Sequence, residues 1–437
     1  MATCPMNQSR SNALASLMSD NPRYKEMFEV NTQSANTGVD MARDYTDDMN
    51  RLRDKAAVQA GSLRALLGLQ EMDFSPVKRA SYTFFSYRAC EVGFRENLIF
   101  SSEGYKESPG VAAVGPTILS MVGKEHKRLR SAAQPLFKRP KVLNWWNKRW
   151  VEETVDVLLD RLLDEDAVDL NFELCARLPM ATITRAIGLE GGDVLEFRYQ
   201  LDRATFGAAR LKPEESAESR TWVDRTLREL IAENTRNPGD NLVAGLIKSE
   251  ITHEDGSKRR LTEDEIFGYA KLTIFAGGGT TWRQLGITID ALMNNHHFWE
   301  DCRKDRSLVD RAVEESLRWR ATDPVFPRLC VADTEVEGVM VPAGVRVHMC
   351  LGAANHDPAV FKNPGNYDIY RDQVHNMGFG FGPHRCLGMD VARQEMVVAI
   401  NGLLDRFPNM RLDPDKPKPA YRGVDHRGMT AVTVRLR

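Results

Sequence analysis

The sequence predicts a mostly α-helical protein with a small β-rich region, folded as a single large domain. From Val151 to Ile247 most windows have apolar residues at helical spacing, and one face of "VEETVDVLLDRLLDED" carries Val151, Val155, Leu158, Leu159 and Leu162. After Pro324, "VADTEVEGVMVPAGVRVHMCL" alternates around Gly338 and the Pro342-Ala343-Gly344 turn, which is typical of short strands. No Gly/Ser-rich or Pro-rich linker separates the two regions, so we expect one domain.

The composition limits the classes of partner. The 437-residue chain carries 59 Lys and Arg against 61 Asp and Glu, so it lacks the positive balance of a nucleic-acid or anionic-membrane binder. Its seven cysteines are scattered without a Cys-x-x-Cys, which argues against a disulfide scaffold or a structural zinc site. We therefore expect a cytoplasmic protein with small-molecule or protein partners and no nucleic acid.

The N-terminal stretch is polar. It has neither a basic start followed by an apolar core nor an apolar run near membrane-spanning length. We expect residues 1–45 to form a polar, partly flexible extension, and we expect no membrane insertion.

A single cysteine lies in the glycine-rich stretch "FGFGPHRCLG". After Cys386, "LGMDVARQEMVVAINGLLDRF" has apolar residues at helical spacing, so the cysteine lies at a helix N-terminus. There the helix dipole and free backbone N–H groups favour a thiolate, which is either a nucleophile or a metal ligand. Because Phe379 and Phe381 can shield the sulfur from water, the pattern favours a ligand.

The spacing Phe-x-x-Gly-x-x-x-Cys-x-Gly, found as Phe379, Gly382, Cys386 and Gly388, resembles the haem-binding signature of the cytochrome P450 family of soluble bacterial type. The resemblance implies a P450-like fold, haem b (iron protoporphyrin IX) as cofactor, and Cys386 as the iron's proximal ligand. It also implies a single haem-binding domain over 46–437. Within it we expect a helix-rich body at about 120–325, a β-rich and meander segment at about 326–378, and the cysteine loop with its helix at 379–407.

Glu315 and Arg318 in "EESLR" lie one helical turn apart, where a carboxylate and a guanidinium can pair. The same spacing recurs elsewhere, where it is most simply a surface pair, at Glu125/Arg128, Glu233/Arg236 and Glu300/Arg303. The position of Glu315/Arg318, upstream of the β-rich segment and the cysteine loop, resembles the family's buried structural ion pair. In "NPGNYDIYR" the family often has Arg where this chain has Asn366, which leaves the third arm of the ion network open.

Four donors match the family's contacts to the two haem carboxylates. His126 and Arg130 lie four residues apart on one helix face in "GKEHKRLRSAAQPLF". Arg328 in "PVFPRLC" and His384 beside the cysteine match two further contacts. Arg and protonated His make strong charge-assisted hydrogen bonds to carboxylates. The resemblance therefore places these four residues around the haem, together with Gly277, Phe379 and Gly388.

Three adjacent glycines in "LTIFAGGGTTWRQLG" would each cost a helix about 1 kcal/mol relative to alanine, so something needs the bare backbone. No Lys-Ser/Thr follows them, as a phosphate-binding loop requires. The run resembles the family's central helix, which passes over the haem face opposite the cysteine and loosens locally to admit oxygen and water. Ala276, Gly277, Thr280 and Thr281 match that pattern, but the family's acid is replaced by Gly279.

The resemblance implies an oxidoreductase of the monooxygenase type, which inserts one oxygen atom from O2 into a hydrophobic small molecule. Its catalytic positions are Thr280, Thr281 and Gly279, and without the acid the proton relay must run through water, Thr281, Gln284 or the substrate. The alternatives are a peroxide-driven enzyme, another atypical reaction such as coupling or nitration, and a non-catalytic haem protein that binds or senses a ligand.

The resemblance also suggests a substrate class and a partner. The expected pocket is apolar, which favours a terpenoid, steroid or polycyclic aromatic, and its lining includes Val111 to Leu119, Phe206, Phe275, Val325, Phe326 and Met429. Electrons should come from a separate carrier of the ferredoxin or flavodoxin type. Its docking patch would use basic residues on the cysteine side, Lys124, Lys127, Arg128, Lys138, Arg139 and Arg385.

Overall fold

The computed structural model describes residues 27–28, 43–71, 75–189, 194–205, 211–372 and 374–437. Most of the expected N-terminal extension, 1–45, lies outside these ranges, as does Phe206. The helices are α1 (Thr46–Lys55), α2 (Leu63–Leu66), α3 (Tyr87–Arg95), α4 (Pro109–Val114), α5 (Gly123–Ala133), α6 (Arg139–Lys141), α7 (Glu152–Asp160), α8 (Arg177–Ile187), α9 (Val194–Ala204), α10 (Pro213–Arg236), α11 (Leu242–Lys248), α12 (Glu263–Asn294), α13 (His296–Lys304), α14 (Leu308–Trp319), α15 (Leu351–Ala354) and α16 (Met389–Arg406).

Short strands form small sheets beside the helices. They are β1 (Val58–Ala60), β2 (Ser81–Phe84), β3 (Phe100–Ser101), β4 (Ala167–Asp169), β5 (Glu250–Thr252), β6 (Lys258–Arg260), β7 (Val325–Cys330), β8 (Thr334–Val336), β9 (Val339–Val341), β10 (Arg346–Cys350), β11 (Arg411–Leu412), β12 (Tyr421–Arg422), β13 (Gly428–Met429) and β14 (Thr433–Arg435). The largest sheet has the order β1-β2-β10-β7-β3, and its β2–β10 pair is parallel. A three-stranded sheet has the order β11-β14-β4, and β5-β6, β8-β9 and β12-β13 form hairpins.

The predicted helical face and the predicted strand-rich segment are both confirmed. The five apolar residues predicted to share one face between Val151 and Leu162 are all buried in the main core cluster. The alternating segment after Pro324 forms β7 to β10, and its turns use Gly338 and Gly344 at φ +76° and +85°, a region that favours glycine. The fold is mostly α-helical with small sheets, as predicted.

Helix α12 passes through the centre of the protein and positions the predicted oxygen-side residues. It starts at a capping box, in which the Glu265 N–H donates to Thr262 Oγ1 and the Thr262 N–H donates to the Glu265 carboxylate. The helix stays α-helical through Gly277–Gly279, so the locally loosened turn expected there is not formed. Its first half packs on α10 and α11, and α8, α14 and α16 surround the rest.

A buried carboxyl lies where α16 meets α8. Glu395 is 4% exposed, and burial raises the pKa of its carboxyl to about 8, against a smaller lowering by a hydrogen bond with Thr182. Between its ordinary value of 4.5 and about 8, Glu395 is protonated in the folded protein and ionised in the unfolded chain. The folded state then binds more protons, so the stability that depends on Glu395 falls as pH rises through this window.

We expect Glu395→Gln to remove that pH dependence, because glutamine cannot ionise and can still hydrogen-bond to Thr182. Each pKa unit corresponds to about 1.4 kcal/mol, so the gain in unfolding free energy at pH 8 should reach a few kcal/mol and should be small at pH 5. Urea denaturation at both pH values measures it. An equal effect at the two pH values would contradict the assignment.

Candidate active site

The cysteine loop is held by backbone contacts that need its glycines. The Cys386 N–H donates to the Phe379 carbonyl at 2.9 Å, and Gly380 and Gly382 adopt φ +67° and +68°. A Cβ on Gly382 would lie 2.5 Å from the backbone oxygen of Phe94 in α3. The loop therefore fits against α3 only with glycine at 382, and it leads into α16.

Cys386 keeps accessible surface in the chain alone, although protein atoms surround it deeply. That burial raises the pKa of its thiol above the ordinary value, while the Gly388 N–H and the charges of Arg130 and Arg393 lower it. The hydrogen bond from the Gly388 N–H acts in the direction that the helix N-terminus predicts, whereas desolvation opposes it. A metal cation bound at the sulfur deprotonates a thiol outright.

The four predicted carboxylate-binding residues come together beside the cysteine loop. The rings of His126 and His384 stack with their centroids 3.9 Å apart. Arg130 Nη2 donates to the Arg385 carbonyl at 2.6 Å, and Arg328 Nη1 donates to the Tyr105 hydroxyl at 3.2 Å. His126 and Arg130 lie on α5, and Arg328 lies on β7. The cluster is therefore assembled by the tertiary fold.

The cluster is short of acceptors. Burial, then Arg130 and Arg328, lower the pKa of His126 to about 4. Burial, His126, Arg328 and Arg130 lower the pKa of His384 to about 3, so neither imidazole is protonated in the chain alone at neutral pH. His126 Nε2 is buried and has no hydrogen-bond partner in the described ranges, so the cluster fits a group that brings carboxylates, as haem does.

Glu315 and Arg318 form a buried bidentate pair. Arg318 Nε and Nη2 donate to the two Glu315 carboxylate oxygens at 2.9 and 2.8 Å. Arg318 Nη1 also donates to the carbonyls of Asn355 and Pro364. The side chains of Glu315 and Arg318 are 5% and 2% exposed. The pair thus connects α14 to the backbone at Asn355 and at Pro364.

The third arm of the network, which the sequence left open at Asn366, is present. Arg371 Nε donates to Glu315 Oε1 at 3.0 Å and fills that position in the network. Asn366 takes part through its backbone carbonyl, which accepts from Arg318 Nη2 and Arg371 Nη2 at 2.9 Å each. Arg371, five residues after Asn366, therefore supplies the cation that the Asn366 side chain cannot supply.

The predicted distal residues lie on α12. Ala276 is exposed in the middle of this largely buried helix, and Thr280, one turn later, donates its hydroxyl to the Ala276 carbonyl at 3.1 Å. Thr281 is buried, and a Cβ on Gly277 would meet Ile183 at 3.4 Å. The face that carries Ala276 and Thr280 therefore borders open space within the fold.

The triple glycine makes room for a side chain that the sequence pattern did not single out. Arg198 Nη1 lies 2.8 Å from where a Gly278 Cβ would be, closer than a real Cβ comes to another heavy atom. Arg198 Nη2 lies 3.5 Å from the corresponding position on Gly279. The bare backbone thus accommodates a guanidinium. The only sequence signal for this contact was the energetic cost of three glycines in a helix. That cost indicates close packing against the glycines, but it does not identify Arg198 as the packing residue.

Comparisons with known proteins agree with this geometry. The family model for Cytochrome P450 matches residues 220–430. Cytochrome P450 107B1 of Saccharopolyspora erythraea is 32% identical over 74% of this chain and 78% of its own length. Steroid C26-monooxygenase of Mycobacterium tuberculosis is 30% identical over 76% of this chain and 87% of its own length. The solved structure of the bacillaene polyketide synthase cytochrome P450 PksS of Bacillus subtilis has a TM-score of 0.78 and 25% identity, covering 90% of this chain and 97% of that chain.

No helix in the described ranges is long and apolar enough to span a bilayer. The relatives, the fold and the signature around Cys386 agree with one another over most of the chain. This chain belongs to the cytochrome P450 family, and it is a haem b-dependent monooxygenase.

Proposed function

We propose that the enzyme hydroxylates a hydrophobic small molecule, that Cys386 is the iron ligand, and that protons reach the oxygen without an acid at position 279. The observation that carries this proposal is the cysteine loop, where Gly382 fits against the Phe94 carbonyl and fixes the chain just before Cys386. An irregular loop held this tightly beside a donor cluster is typical of a cofactor site.

The residues that hold the haem are those of the donor cluster and the loop. His126, Arg130, Arg328 and His384 bind its carboxylates, and Gly277, Phe379 and Gly388 allow close packing. Arg393 lies 4.7 Å above the Phe379 ring and helps to fix that ring beside the sulfur. Haem bound through a thiolate supplies an iron centre that activates O2, with thiolate donation favouring O–O cleavage.

The proton route has few candidate groups. Thr280 donates to the Ala276 carbonyl and keeps its oxygen free to accept a hydrogen bond. Gln284 donates to Ser316 Oγ at 3.1 Å and accepts from the Thr322 N–H at 3.0 Å, so its amide is committed to helix packing. This favours water, Thr281 or a substrate group over Gln284 as the relay beside Thr280.

The substrate side is supported by chemistry and by one relative. Phe275, Val325 and Phe326 are half-buried apolar residues, and Met429 is buried in the β12–β13 hairpin. A relative at 30% identity is named a steroid C26-monooxygenase, which supports a large apolar substrate such as a steroid or terpenoid.

Electron delivery and location complete the proposal. We infer a separate ferredoxin or flavodoxin, which docks on the basic patch beside the cysteine loop. Lys127 and Lys138 are exposed there, whereas Lys124 already pairs with Glu254 at 2.8 Å. The six described cysteines are free thiols, which supports a cytoplasmic location.

The experiment that tests the proposal supplies the holoenzyme with a surrogate ferredoxin, its reductase and NADPH under labelled dioxygen. The panel contains testosterone, a diterpene acid and a polycyclic aromatic. A product that carries one labelled oxygen atom and requires reductase supports hydroxylation. Turnover with hydrogen peroxide alone supports the peroxide-driven alternative, and oxidation of no panel member under either condition contradicts the substrate class.

Gly279→Asp tests the altered relay. The new carboxylate would lie beside Thr280, where it can transfer protons, so we expect product formed per NADPH consumed to rise roughly two- to tenfold for the best panel substrate. Gly279→Asn is the matched control, because it has nearly the same shape and no titratable proton. No gain in Gly279→Asp, or an equal gain in Gly279→Asn, would show that the missing acid does not limit turnover.

A further inference from the structure

A guanidinium is buried against the glycines of α12. Arg198 on α9 is 3% exposed, and it lies beside Gly278 and Gly279 at the distances given above. Met180 Sδ lies 3.7 Å from the same Gly278 position, so the surroundings are partly apolar. Burying a charge this completely is costly unless its donors are used.

The donors of Arg198 are not all used by the chain. Nε lies 2.9 Å from Asp202 Oδ1, close enough for an ion pair. The alignment is nevertheless poor, because Arg198 Nε, Arg198 Nη1 and Asp202 Oδ1 have no hydrogen-bond partner among the described residues. A buried donor without a hydrogen bond costs more free energy when it belongs to a charged group than when it belongs to a neutral one. This arginine therefore fits an additional acceptor.

A second guanidinium lies on the same side of α12. Arg283, four residues after Gly279, donates Nη1 to the Gly279 carbonyl at 2.9 Å. Arg198 acts electrostatically on Arg283, and the carboxylates that act on Arg283 are Asp323 and Asp202. Asp323 Oδ1 also lies 3.0 Å from His426 Nδ1. Two arginines therefore flank a position where helix α12 itself offers no carboxylate.

This position borders the proposed substrate space. At about 100° per residue, Gly279 lies on the flank next to the face that carries Ala276 and Thr280. Arg283 also contacts the β12–β13 hairpin, where a Cβ on Gly428 would meet its Cγ at 3.3 Å. The guanidinium contacts therefore lie on the flank of the face over which the proposed substrate would bind.

We propose that Arg198, flanked by Arg283, binds the carboxylate of the substrate, so that the substrate is an organic acid with a large apolar body. The planar fork of arginine suits a carboxylate and can bind it through two hydrogen bonds. The inference rests on the proposed function, because it names the substrate class of the same site. The substrate's carboxylate would supply the acceptor that Arg198 lacks.

The test measures ligand binding by the holoenzyme, from the shift of the haem Soret band and from calorimetry. The probes are matched acid and primary-amide pairs, dodecanoate with dodecanamide, dehydroabietate with its amide, and 2-naphthoate with 2-naphthamide. We expect at least one acid to bind about tenfold or more tightly than its amide. Equal affinities within all three pairs would overturn the inference.

Variants assign that preference to Arg198. Arg198→Met should abolish it, and Arg198→Gln, which keeps hydrogen-bond donors but carries no charge, should abolish it as well. Arg203→Met is the control on the same helix, because Arg203 donates to Ser219 and Tyr199 instead, and it should keep the preference. A preference that survives both Arg198→Met and Arg198→Gln would overturn the assignment. A wild type that shows the thiolate spectrum but no acid preference overturns this inference alone, whereas loss of the thiolate spectrum overturns the proposed function.

Discussion

Arg318→Ala should lower the free energy of unfolding by about 3–5 kcal/mol and prevent accumulation of haem-bound protein, because it breaks a buried ion pair. It leaves Glu315 with Arg371 as its remaining guanidinium partner in the described network. It also removes the donors to the carbonyls of Asn355, Pro364 and Asn366. Urea denaturation and the ratio of haem to protein after purification measure the two effects.

The matched control is Arg303→Ala. Arg303 pairs with Glu300 at the same helical spacing and 2.8 Å, but the two side chains are 45% and 31% exposed. Water screens such a pair, so its loss should cost less than about 1 kcal/mol. Similar losses for the two variants would show that the buried network does not stabilise the fold as described.

Gly382→Ala should destabilise the cysteine loop and lower haem content strongly. Its new Cβ would lie 2.5 Å from the Phe94 carbonyl oxygen and 3.1 Å from the carbonyl carbon, and backbone atoms of a helix cannot move aside as a flexible side chain can. The φ of +68° adds the strain of a left-handed conformation for an L residue, about 1–2 kcal/mol. Thermal unfolding and haem content report the combined effect.

Gly380→Ala separates the two causes. Gly380 has nearly the same φ, +67°, but its Cβ would meet only Phe94 Cε1 at an ordinary 3.9 Å. This variant should therefore show the conformational strain without the clash. If Gly380→Ala loses as much haem and stability as Gly382→Ala, the close approach to α3 is not what fixes the loop.

Sequence patterns predicted the parts of this protein that depend on local spacing. The helical face from Val151 to Leu162 is buried, and the alternating segment after Pro324 forms strands, because periodicity follows backbone geometry. Residues far apart in the chain, such as His126 and His384, could be placed together only through the family resemblance.

What the sequence could not predict depended on three-dimensional neighbours. Asn366 left the third arm of the ion network open, but Arg371, five residues further along the chain, donates to Glu315, which spacing alone does not show. The sequence likewise did not predict the position of Arg198, because Arg198 packs against glycines on another helix.

The central claim is that Cys386 binds the haem iron, and one spectrum tests it most directly. The measurement is the absorption spectrum of the dithionite-reduced, carbon-monoxide-bound holoprotein, recorded beside that of Cys386→His. We predict a Soret band at the strongly red-shifted position typical of a trans thiolate in the wild type, and its loss in Cys386→His. An imidazole-like band in the wild type, or a thiolate band that survives in Cys386→His, would contradict the account.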